Sequence, residues 1–367
     1  MCYSCPDYEL LRGIMNIIII GGTFDDKGGK PSGLINKISD SFKYKNINVT
    51  LYNGGYFEEL KNIMSNITED VIFWMVNVPN DKEKIRDIKT LYPKKYLIMS
   101  KRNNNEYSFQ ELINRALSQK ANLMIEFQKN ESKFEMRVFD PLGSVWCNYT
   151  TDINNVVTSI INRLNYIMSI SRQGTIHIDN EETPKTPNEE EFFKLIKEYA
   201  ETFHELISPA QEVTRFLGNS SFRCQRGFPS FRKDNIMFVS RRNIDKRYIG
   251  QEGFVPTKLE DNKVMYWGYY KPSVDTPIQI RLYQKLPNIN YMIHAHVYLK
   301  NAPYTEHAVP CGGLEEVDEI LSKIKDKNTE YFELNLIGHG CIVFANNVEQ
   351  LKNLQYKKRP APEIINK

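Results

Sequence analysis

The chain is organised around the stretch Asn290-Tyr-Met-Ile-His-Ala-His-Val-Tyr-Leu-Lys300. Its β-branched, apolar and tyrosine residues predict a strand. Because side chains alternate between the two faces of a strand, His294 and His296 point the same way, and the apolar residues that alternate with them take the opposite face. Two imidazoles side by side on a rigid element are half of a metal site, although the bare pattern is also that of two satisfied or solvent-facing histidines.

Four segments elsewhere in the second half carry residues suited to the same site. They are Gly218-Asn-Ser-Ser-Phe-Arg223, Lys271-Pro-Ser-Val-Asp-Thr-Pro277, Pro310-Cys-Gly-Gly-Leu-Glu-Glu316 and Leu336-Ile-Gly-His-Gly340. The last supplies a third histidine, His339, between two glycines, where backbone can approach a ligand closely. Four of the six histidines lie between positions 294 and 339. Three of these are placed as metal ligands would be, which favours the metal interpretation.

Residues 190–350 resemble the class II aldolase/adducin family. They carry that family's motifs in that family's order, namely a GNxS-type start, a PSx[DE] segment, an HxH strand and then HG. The form Pro-Ser-Val-Asp-Thr-Pro, with its aspartate nineteen residues before the first histidine, most resembles the ribulose-phosphate 4-epimerase branch. The motifs do not fix the reaction, because the family includes aldolases, epimerases, dehydratases and the non-enzymatic adducins.

The resemblance implies a metal centre with an acid/base group beside it. Carried over residue by residue, it makes His294, His296 and His339 the ligands of a divalent metal, usually zinc. Asp275 matches the position that the family uses as a fourth ligand or as the acid/base carboxylate, and Glu316 is our second candidate for the acid/base role. The resemblance also implies a cyclic homotetramer with active sites between subunits.

The candidate substrate-binding residues are Asn219, Ser220, Ser240, Arg241 and Ser273. The first and the last match positions that bind the substrate phosphate in the family that the chain resembles. The family's second phosphate-binding serine is Val274 here, and its Ser/Thr-x-x-Gly segment is replaced by Val239-Ser-Arg-Arg-Asn243. The two arginines of that segment are suited to bidentate phosphate binding. A substrate with a different group in place of the phosphate, or with no such group, is an equally open alternative.

Three neutral imidazoles leave zinc an open position and its full double charge. An ion held in this way polarises the carbonyl of a 2-hydroxy ketone or aldehyde, and it stabilises the enediolate that forms when an adjacent proton is removed or a C–C bond breaks. A positioned carboxylate moves the proton. The sequence thus predicts a metal-dependent lyase or epimerase acting on a small hydroxy-carbonyl compound, a sugar or sugar phosphate. The alternative is a non-catalytic aldolase-like scaffold whose N-terminal domain binds a nucleotide or sugar-phosphate ligand.

The first half of the chain reads as a doubly wound α/β domain. Met15–Ile20 predicts a buried parallel strand, and strand and helix patterns alternate after it, which is typical of a Rossmann-like parallel sheet. A glycine-rich turn follows the first strand where such folds bind anions. Its candidate ligand-binding residues are Gly21, Gly22, Thr23 and Ser32. The turn matches no established phosphate-binding motif, so an ordinary tight turn is the alternative.

The predicted domain organisation has four parts. Residues 1–14 are an extension, 15–170 form the Rossmann-like domain, and the polar stretch 171–190 is a linker. Residues 191–367 form the aldolase-like domain, for which the resemblance implies an α/β/α architecture with a central, mainly antiparallel sheet. We assign no family resemblance to the first domain.

Composition excludes several classes of protein. The formal net charge of the 367 residues is +3 with both signs mixed, which gives no argument for nucleic acid or an anionic membrane as partner. No apolar run is long enough to span a bilayer, and no signal peptide opens the chain. The six cysteines are scattered, which predicts a reduced, cytoplasmic protein rather than a disulfide scaffold.

Overall fold

The structure, a computed structural model, describes residues 15–78, 88–130, 133–173, 175–179, 182–207, 218–223, 236–309, 311–360 and 362–364. The chain divides into two compact units, Met1–Asn165 with Ala361–Lys367, and Tyr166–Pro360. The extension predicted for residues 1–14 lies outside the described residues. Within the described ranges, no helix is long and apolar enough to cross a membrane.

Strands and helices alternate through the first unit. Its elements are β1 (Asn16–Asp25), α1 (Gly33–Tyr44), β2 (Asn48–Tyr56), α2 (Phe57–Ser65), β3 (Val71–Asn77), α3 (Ile88–Leu91), β4 (Tyr96–Arg102), α4 (Phe109–Ser118), β5 (Leu123–Asn130), β6 (Lys133–Phe139), β7 (Ser144–Thr150) and α5 (Ile153–Gln173). The first five strands are parallel and lie in the order 2-1-3-4-5, while β6 and β7 extend the sheet antiparallel. This order is one of the two common doubly wound arrangements.

The first sheet is covered by helices on both faces. Ile17–Ile20 of β1 are at most 2% exposed, as expected for a parallel strand buried on both sides. Phe42 of α1 packs edge-on against Phe73 with ring centroids 5.2 Å apart. The neighbouring residues Ile72 and Trp74 belong to a separate apolar cluster with α2 and α4. Since successive strand residues face opposite sides, the predicted doubly wound sheet is confirmed.

The second unit is built on an eight-stranded, mainly antiparallel sheet. Its elements are β8 (Thr175–His177), α6 (Glu190–Ile207), β9 (Asn219–Phe222), β10 (Met237–Ser240), β11 (Phe254–Glu260), β12 (Lys263–Tyr266), α7 (Thr276–Lys285), β13 (Tyr291–Ala295), β14 (Tyr298–Leu299), α8 (Glu315–Lys323), β15 (Tyr331–Leu336), β16 (Gly340–Ala345) and β17 (Tyr356–Lys357). The strand order is β15-β16-β13-β9-β10-β11-β12-β8, with β14 and β17 paired separately.

Alternation along β13 separates an apolar layer from the layer that holds the histidines. Ile293 and Ala295 belong to the core cluster that includes Phe192 of α6. Met292, on the opposite face, packs in the cluster that holds Ile278 of α7 and the buried residues of α8. Helices therefore cover both faces of the second sheet, and the predicted α/β/α architecture with a mainly antiparallel sheet is confirmed.

Two short strands join segments that the sequence analysis assigned elsewhere. The stretch predicted as linker, residues 171–190, contains β8, which pairs parallel with β12 at the edge of the second sheet. Near the other end of the chain, β18 (Glu363–Ile364) pairs parallel with β7 of the first sheet. Strands of two or three residues are too short to show any periodicity, so no sequence pattern marks them.

Candidate metal centre

Three imidazoles lie together at one end of the inner strands of the second sheet. His294 is on β13, His296 follows the end of that strand, and His339 lies in the turn between β15 and β16. The ring centroids are 5.0 Å apart for His294 and His296, 4.5 Å for His294 and His339, and 5.0 Å for His296 and His339. One ring nitrogen from each lies within 4.8 Å of the others. The predicted strand ends earlier than expected, at Ala295, yet both of its histidines reach this cluster.

A glycine allows the third imidazole to approach the other two. A Cβ at Gly340 would lie 2.0 Å from the carbonyl oxygen of Ala295 and 2.8 Å from Cα of His296. No real side chain tolerates such contacts, so only glycine fits here. On the other side of His339, Gly338 has a φ of 71°. The two glycines thus let the turn pack directly against β13.

His294 presents a buried nitrogen lone pair to the centre. Its Nδ1 lies 2.9 Å from the carbonyl oxygen of Cys341. A carbonyl only accepts, so Nδ1 carries the proton and Nε2 is an acceptor. Within the part of the chain that the structure describes, Nε2 is buried and has no hydrogen-bond partner. Burial also keeps the pKa of His294 well below its usual range, so the ring is neutral, as a metal ligand must be.

His339 is oriented by a buried carboxylate. Its Nδ1 donates to Oε1 of Glu316 at 2.7 Å, and both side chains are almost fully buried. This carboxylate–histidine pairing fixes the ring and directs Nε2 toward the other imidazoles. Burial opposes protonation of His339, but Cys311 and Glu316 outweigh it and raise its pKa, while burial raises the pKa of Glu316. The carboxylate of Glu316, the second acid/base candidate, lies against the nitrogen that faces away from the centre.

Cys311 is a member of the cluster that the sequence analysis did not select. Its Sγ lies 2.9 Å from Nε2 of His339 and 3.9 Å from Nε2 of His296. With Asp275 and His339 it forms a second group whose ligand atoms lie within 4.8 Å of one another. The available signal was its position in Pro310-Cys-Gly-Gly, one of the segments that converge on the site.

Asp275 lies beside His294 at the start of α7. Its Oδ2 is 3.8 Å from Nε2 of His294 and accepts a hydrogen bond of 2.9 Å from Nδ2 of Asn219. Asn219 pairs with His294 across β9 and β13, so the two side chains share a face of the sheet. The amide of Gln279 in turn donates to the Asn219 side chain. Burial raises the pKa of Asp275.

The three predicted serines form one buried polar group next to this aspartate. The backbone amide of Ser220 donates to Oγ of Ser240 at 3.2 Å, and the amide of Ser273 donates to the carbonyl of Ser240 at 3.2 Å. Oγ of Ser273 accepts from the amide of Asp275 at 3.5 Å. The hydroxyl oxygen of Ser220 is buried without a hydrogen-bond partner among the described residues. The fold thus brings Ser220, Ser240 and Ser273 together with Asp275.

The two arginines after Ser240 make different contacts. The Arg241 guanidinium stacks over the ring of Tyr270 at 3.8 Å. Arg242 is more exposed, and its Nε donates to the carbonyl of Pro272 at 3.3 Å. Both contacts tie this segment to the turn that carries Ser273, so the arginines border the buried serine group rather than entering it.

Lys246 is a buried cation that no sequence pattern marked. It lies in the short helix Lys246–Tyr248, inside a polar run, and only 7% of its surface is exposed. Burial lowers its pKa to about 8, against the opposing charges of Asp245 and Asp275. Lys246 also contributes to lowering the pKa of His294. A lysine in a polar run is ordinarily solvated, which is why sequence reasoning did not select it.

The candidate ligand-binding residues of the first unit are hydrogen-bonded within their own unit. The predicted turn begins later than expected, because β1 continues to Asp25 and both Gly21 and Gly22 pair with β3. The amide of Thr23 donates to the carbonyl of Lys30 at 2.9 Å, and the amide of Ser32 donates to Oδ1 of Asn53 at 2.8 Å. The Thr23 amide is therefore bonded within the turn, and the Ser32 amide is bonded to a side chain of β2.

Comparison with known proteins bears on the second unit. Residues 197–357 match the model of a family described as the class II aldolase and adducin N-terminal domain. No curated protein sequence matches the chain significantly.

Three solved structures are similar to parts of the chain. An L-fuculose 1-phosphate aldolase is 18% identical, covering 46% of this chain and 85% of its own, with a TM-score of 0.31. A DNA/pantothenate metabolism flavoprotein from Streptococcus pneumoniae is 10% identical, covering 41% and 98%, with a TM-score of 0.33. The protein YgbL from Klebsiella pneumoniae is 13% identical, covering 44% and 83%, with a TM-score of 0.28. At these values the structural likenesses carry no argument about function.

Proposed function

We propose that the chain, whose residues 197–357 match the model of the class II aldolase and adducin family, is a metal-dependent lyase or epimerase acting on a small hydroxy-carbonyl compound, a sugar or sugar phosphate. The observation that carries the proposal is the convergence of three imidazole nitrogens within 4.8 Å on a buried point. An adducin-like, non-catalytic domain has no use for such a buried arrangement of polar groups, which is costly without a ligand.

The residues fit a divalent ion, and zinc is the ion we propose. His294, His296 and His339 would hold it, and the buried Nε2 of His294, unsatisfied among the described residues, would gain the partner that its burial demands. When bound, the ion supplies Lewis-acid polarisation of a substrate carbonyl. Glu316 acts as a positioning residue, because its hydrogen bond to Nδ1 holds the His339 ring and raises its basicity.

Asp275 is the group that we propose moves the proton. It lies 3.8 Å from the ring of His294, which places it within reach of a carbon atom adjacent to a carbonyl bound there. Its raised pKa makes its protonated form accessible nearer to neutral pH, so it can both accept and return a proton. The hydrogen bond from Asn219 fixes the carboxylate while Asp275 takes the proton and an enediolate forms on the substrate.

The substrate-binding role of Asn219, Ser220, Ser240, Arg241 and Ser273 stays a proposal. The Asn219 side chain supports it, because Asn219 shares a face of the sheet with His294 and donates to Asp275 beside that ring. The arginines at the border of the serine group are suited to an anionic substituent such as a phosphate. We further propose a homo-oligomer, following the family, and a reducing cytoplasmic setting, which suits the free thiols of Cys147, Cys311 and Cys341.

Metal content and catalysis test the proposal together. The purified chain should bind about one zinc per chain, lose it in His294→Ala, and cleave, epimerise or dehydrate at least one member of a panel of hydroxy-carbonyl sugars and sugar phosphates. His307→Ala is the matched control, because this histidine is 75% exposed and pairs with Glu319. It should leave metal content and activity unchanged. A folded wild-type chain that binds no divalent ion contradicts the proposal.

The alternative function assigns ligand binding to the first unit and no catalysis to the second. In its glycine-rich turn the amides of Thr23 and Ser32 are already hydrogen-bonded, which leaves fewer donors for an anion. Retention of all three imidazoles in one cluster favours the enzyme. The scaffold would be favoured by two results together. The chain would show no catalytic activity, and it would still bind a nucleotide or sugar phosphate after His294, His296 and His339 are replaced by alanine.

A further inference from the structure

A thiol lies beside two of the three imidazoles. Sγ of Cys311 lies 2.9 Å from Nε2 of His339 and 3.9 Å from Nε2 of His296, and these imidazoles are its hydrogen-bonding partners among the described residues. We propose that Cys311 binds the ion as a thiolate, so that the resting centre has three nitrogen ligands and one sulfur ligand. This inference rests on the proposed metal site and extends it to the ligand set.

The distances suit a shared ion. In a tetrahedral zinc site, with Zn–N bonds of about 2.0–2.1 Å and a Zn–S bond of about 2.3 Å, a nitrogen and a sulfur ligand lie about 3.5 Å apart. The two S···N distances, 2.9 Å and 3.9 Å, fall on either side of that value. A shift of Sγ by about half an ångström toward His296 makes both distances compatible with coordination.

A second, independent feature points to a ligand at the same place. Nε2 of His294 is buried and without a partner among the described residues, and its ring centroid is 4.5 Å from that of His339. Cys311 joins this cluster through His339, because Asp275, Cys311 and His339 form a second group whose ligand atoms lie within 4.8 Å of one another. Two glycines follow it, Gly312 and Gly313, and the first has a φ of 81°, so the backbone can place the sulfur close to the turn that carries His339.

Asp275 is the competing candidate for the fourth ligand, and its contacts assign it a different task. Its Oδ2, the oxygen 3.8 Å from His294, already accepts the hydrogen bond from Asn219. Zinc has a strong preference for thiolate over carboxylate donors at closed sites. Donor chemistry thus favours the sulfur as the ligand, and the carboxylate, whose Oδ1 is buried without a hydrogen-bond partner among the described residues, is kept for proton transfer.

Thiolate coordination has a consequence for catalysis. Four protein donors give the closed coordination of structural zinc sites, whereas catalytic sites keep a position open. A substrate would have to displace the sulfur or enter as a fifth ligand. Metal binding releases the thiol proton to solvent, and the bound sulfur is shielded from alkylating reagents.

Cobalt substitution tests the sulfur ligand directly. Loaded with Co²⁺, the wild-type chain should show a thiolate-to-cobalt charge-transfer band in the near ultraviolet. Cys311→Ala should lose this band while still binding about one cobalt per chain through its three imidazoles. Cys147→Ala, which changes a buried cysteine of the first unit, is the matched control and should keep the band. As a second measurement that needs no variant, iodoacetamide should label Cys311 in the metal-free chain, with labelling lost when zinc is added.

Each result decides between the two proposals. A band that persists in Cys311→Ala, or cobalt bound without any charge-transfer band in the wild type, overturns the sulfur ligand and leaves the three-histidine site standing. Labelling of Cys311 that zinc does not change also overturns it. If the wild type binds no cobalt and no zinc, both the inference and the proposed metal site fail.

Discussion

At the scale of single residues, the candidate centre depends on which nitrogen of each imidazole is hydrogen-bonded to the protein. The carbonyl of Cys341 holds Nδ1 of His294, and the carboxylate of Glu316 holds Nδ1 of His339. In both rings the outer nitrogen is taken by the protein, so Nε2 is the atom left to face the centre. The ligand set is thus preorganised by hydrogen bonds as well as by the position of each histidine in the sequence.

The role of Asp275 is tested by removing its charge while keeping its shape. If it moves the proton, Asp275→Asn should lower kcat by ~10²–10⁴-fold, with zinc content unchanged. Asp318→Asn, on the exposed side of α8, is the control and should behave as wild type. Loss of zinc from Asp275→Asn would instead make the carboxylate a metal ligand.

The buried Lys246 should make the stability of the protein depend on pH. Its folded pKa of about 8 lies below the ordinary lysine pKa of 10.5, so between these values the unfolded chain binds more protons and stability rises with pH. The rise should not exceed about 3 kcal/mol between pH 8 and 10.5. Lys246→Met should remove this rise in the free energy of unfolding, measured by denaturant titration. The exposed control Lys263→Met should retain it, and an unchanged slope in Lys246→Met would refute the assignment.

At the scale of elements, the site depends on how closely the turn carrying His339 packs against β13. Replacing Gly340 with Ala puts a Cβ 2.0 Å from the carbonyl of Ala295. We expect Gly340→Ala to cost about 1–3 kcal/mol of stability through overpacking, and to weaken zinc binding because His339 moves away from the other imidazoles. Gly33→Ala is the control, since a Cβ there meets nothing within 4 Å. Equal zinc affinity in Gly340→Ala and wild type would contradict this account of the turn.

Those elements with a long or strongly marked pattern were predictable from sequence. The four consecutive isoleucines of β1 predicted a buried strand, and the alternation around His294 predicted the two layers of the second sheet. The continuation of β1 through Gly21 and the short strand β8 were missed, because pairing partners, rather than local pattern, create them.

Within the site, the sequence could predict the residues that belong to a recognisable motif. It could not predict residues that reach the site only because distant segments pack together. Three histidines in characteristic motifs were identifiable. Cys311 and Lys246 were not, because the surroundings of each depend on elements far away in the chain; Cys311 and His339, for example, are 28 positions apart. Glu316 was selected, but the contact with Nδ1 of His339 could be known only from the fold.

At the scale of the whole molecule, a metal ion should link function to stability. The described part of the chain buries polar donors at the centre that an ion would satisfy, so zinc should bind the folded state in preference to the unfolded one. At a free concentration of 100 times Kd, one bound ion adds about 2.7 kcal/mol. Thermal unfolding with zinc and after chelation should therefore differ by several degrees in Tm, whereas His294→Ala should show no difference. An identical Tm in both wild-type samples would contradict the linkage.

The most direct test of the central claim is a crystal structure of the zinc-loaded chain with anomalous data collected at the zinc edge. We predict one strong anomalous peak among His294, His296 and His339, with each Nε2 at about 2.0–2.1 Å from it. Anomalous density elsewhere, or no peak while the three imidazoles stay together, would contradict the claim that they form a metal centre.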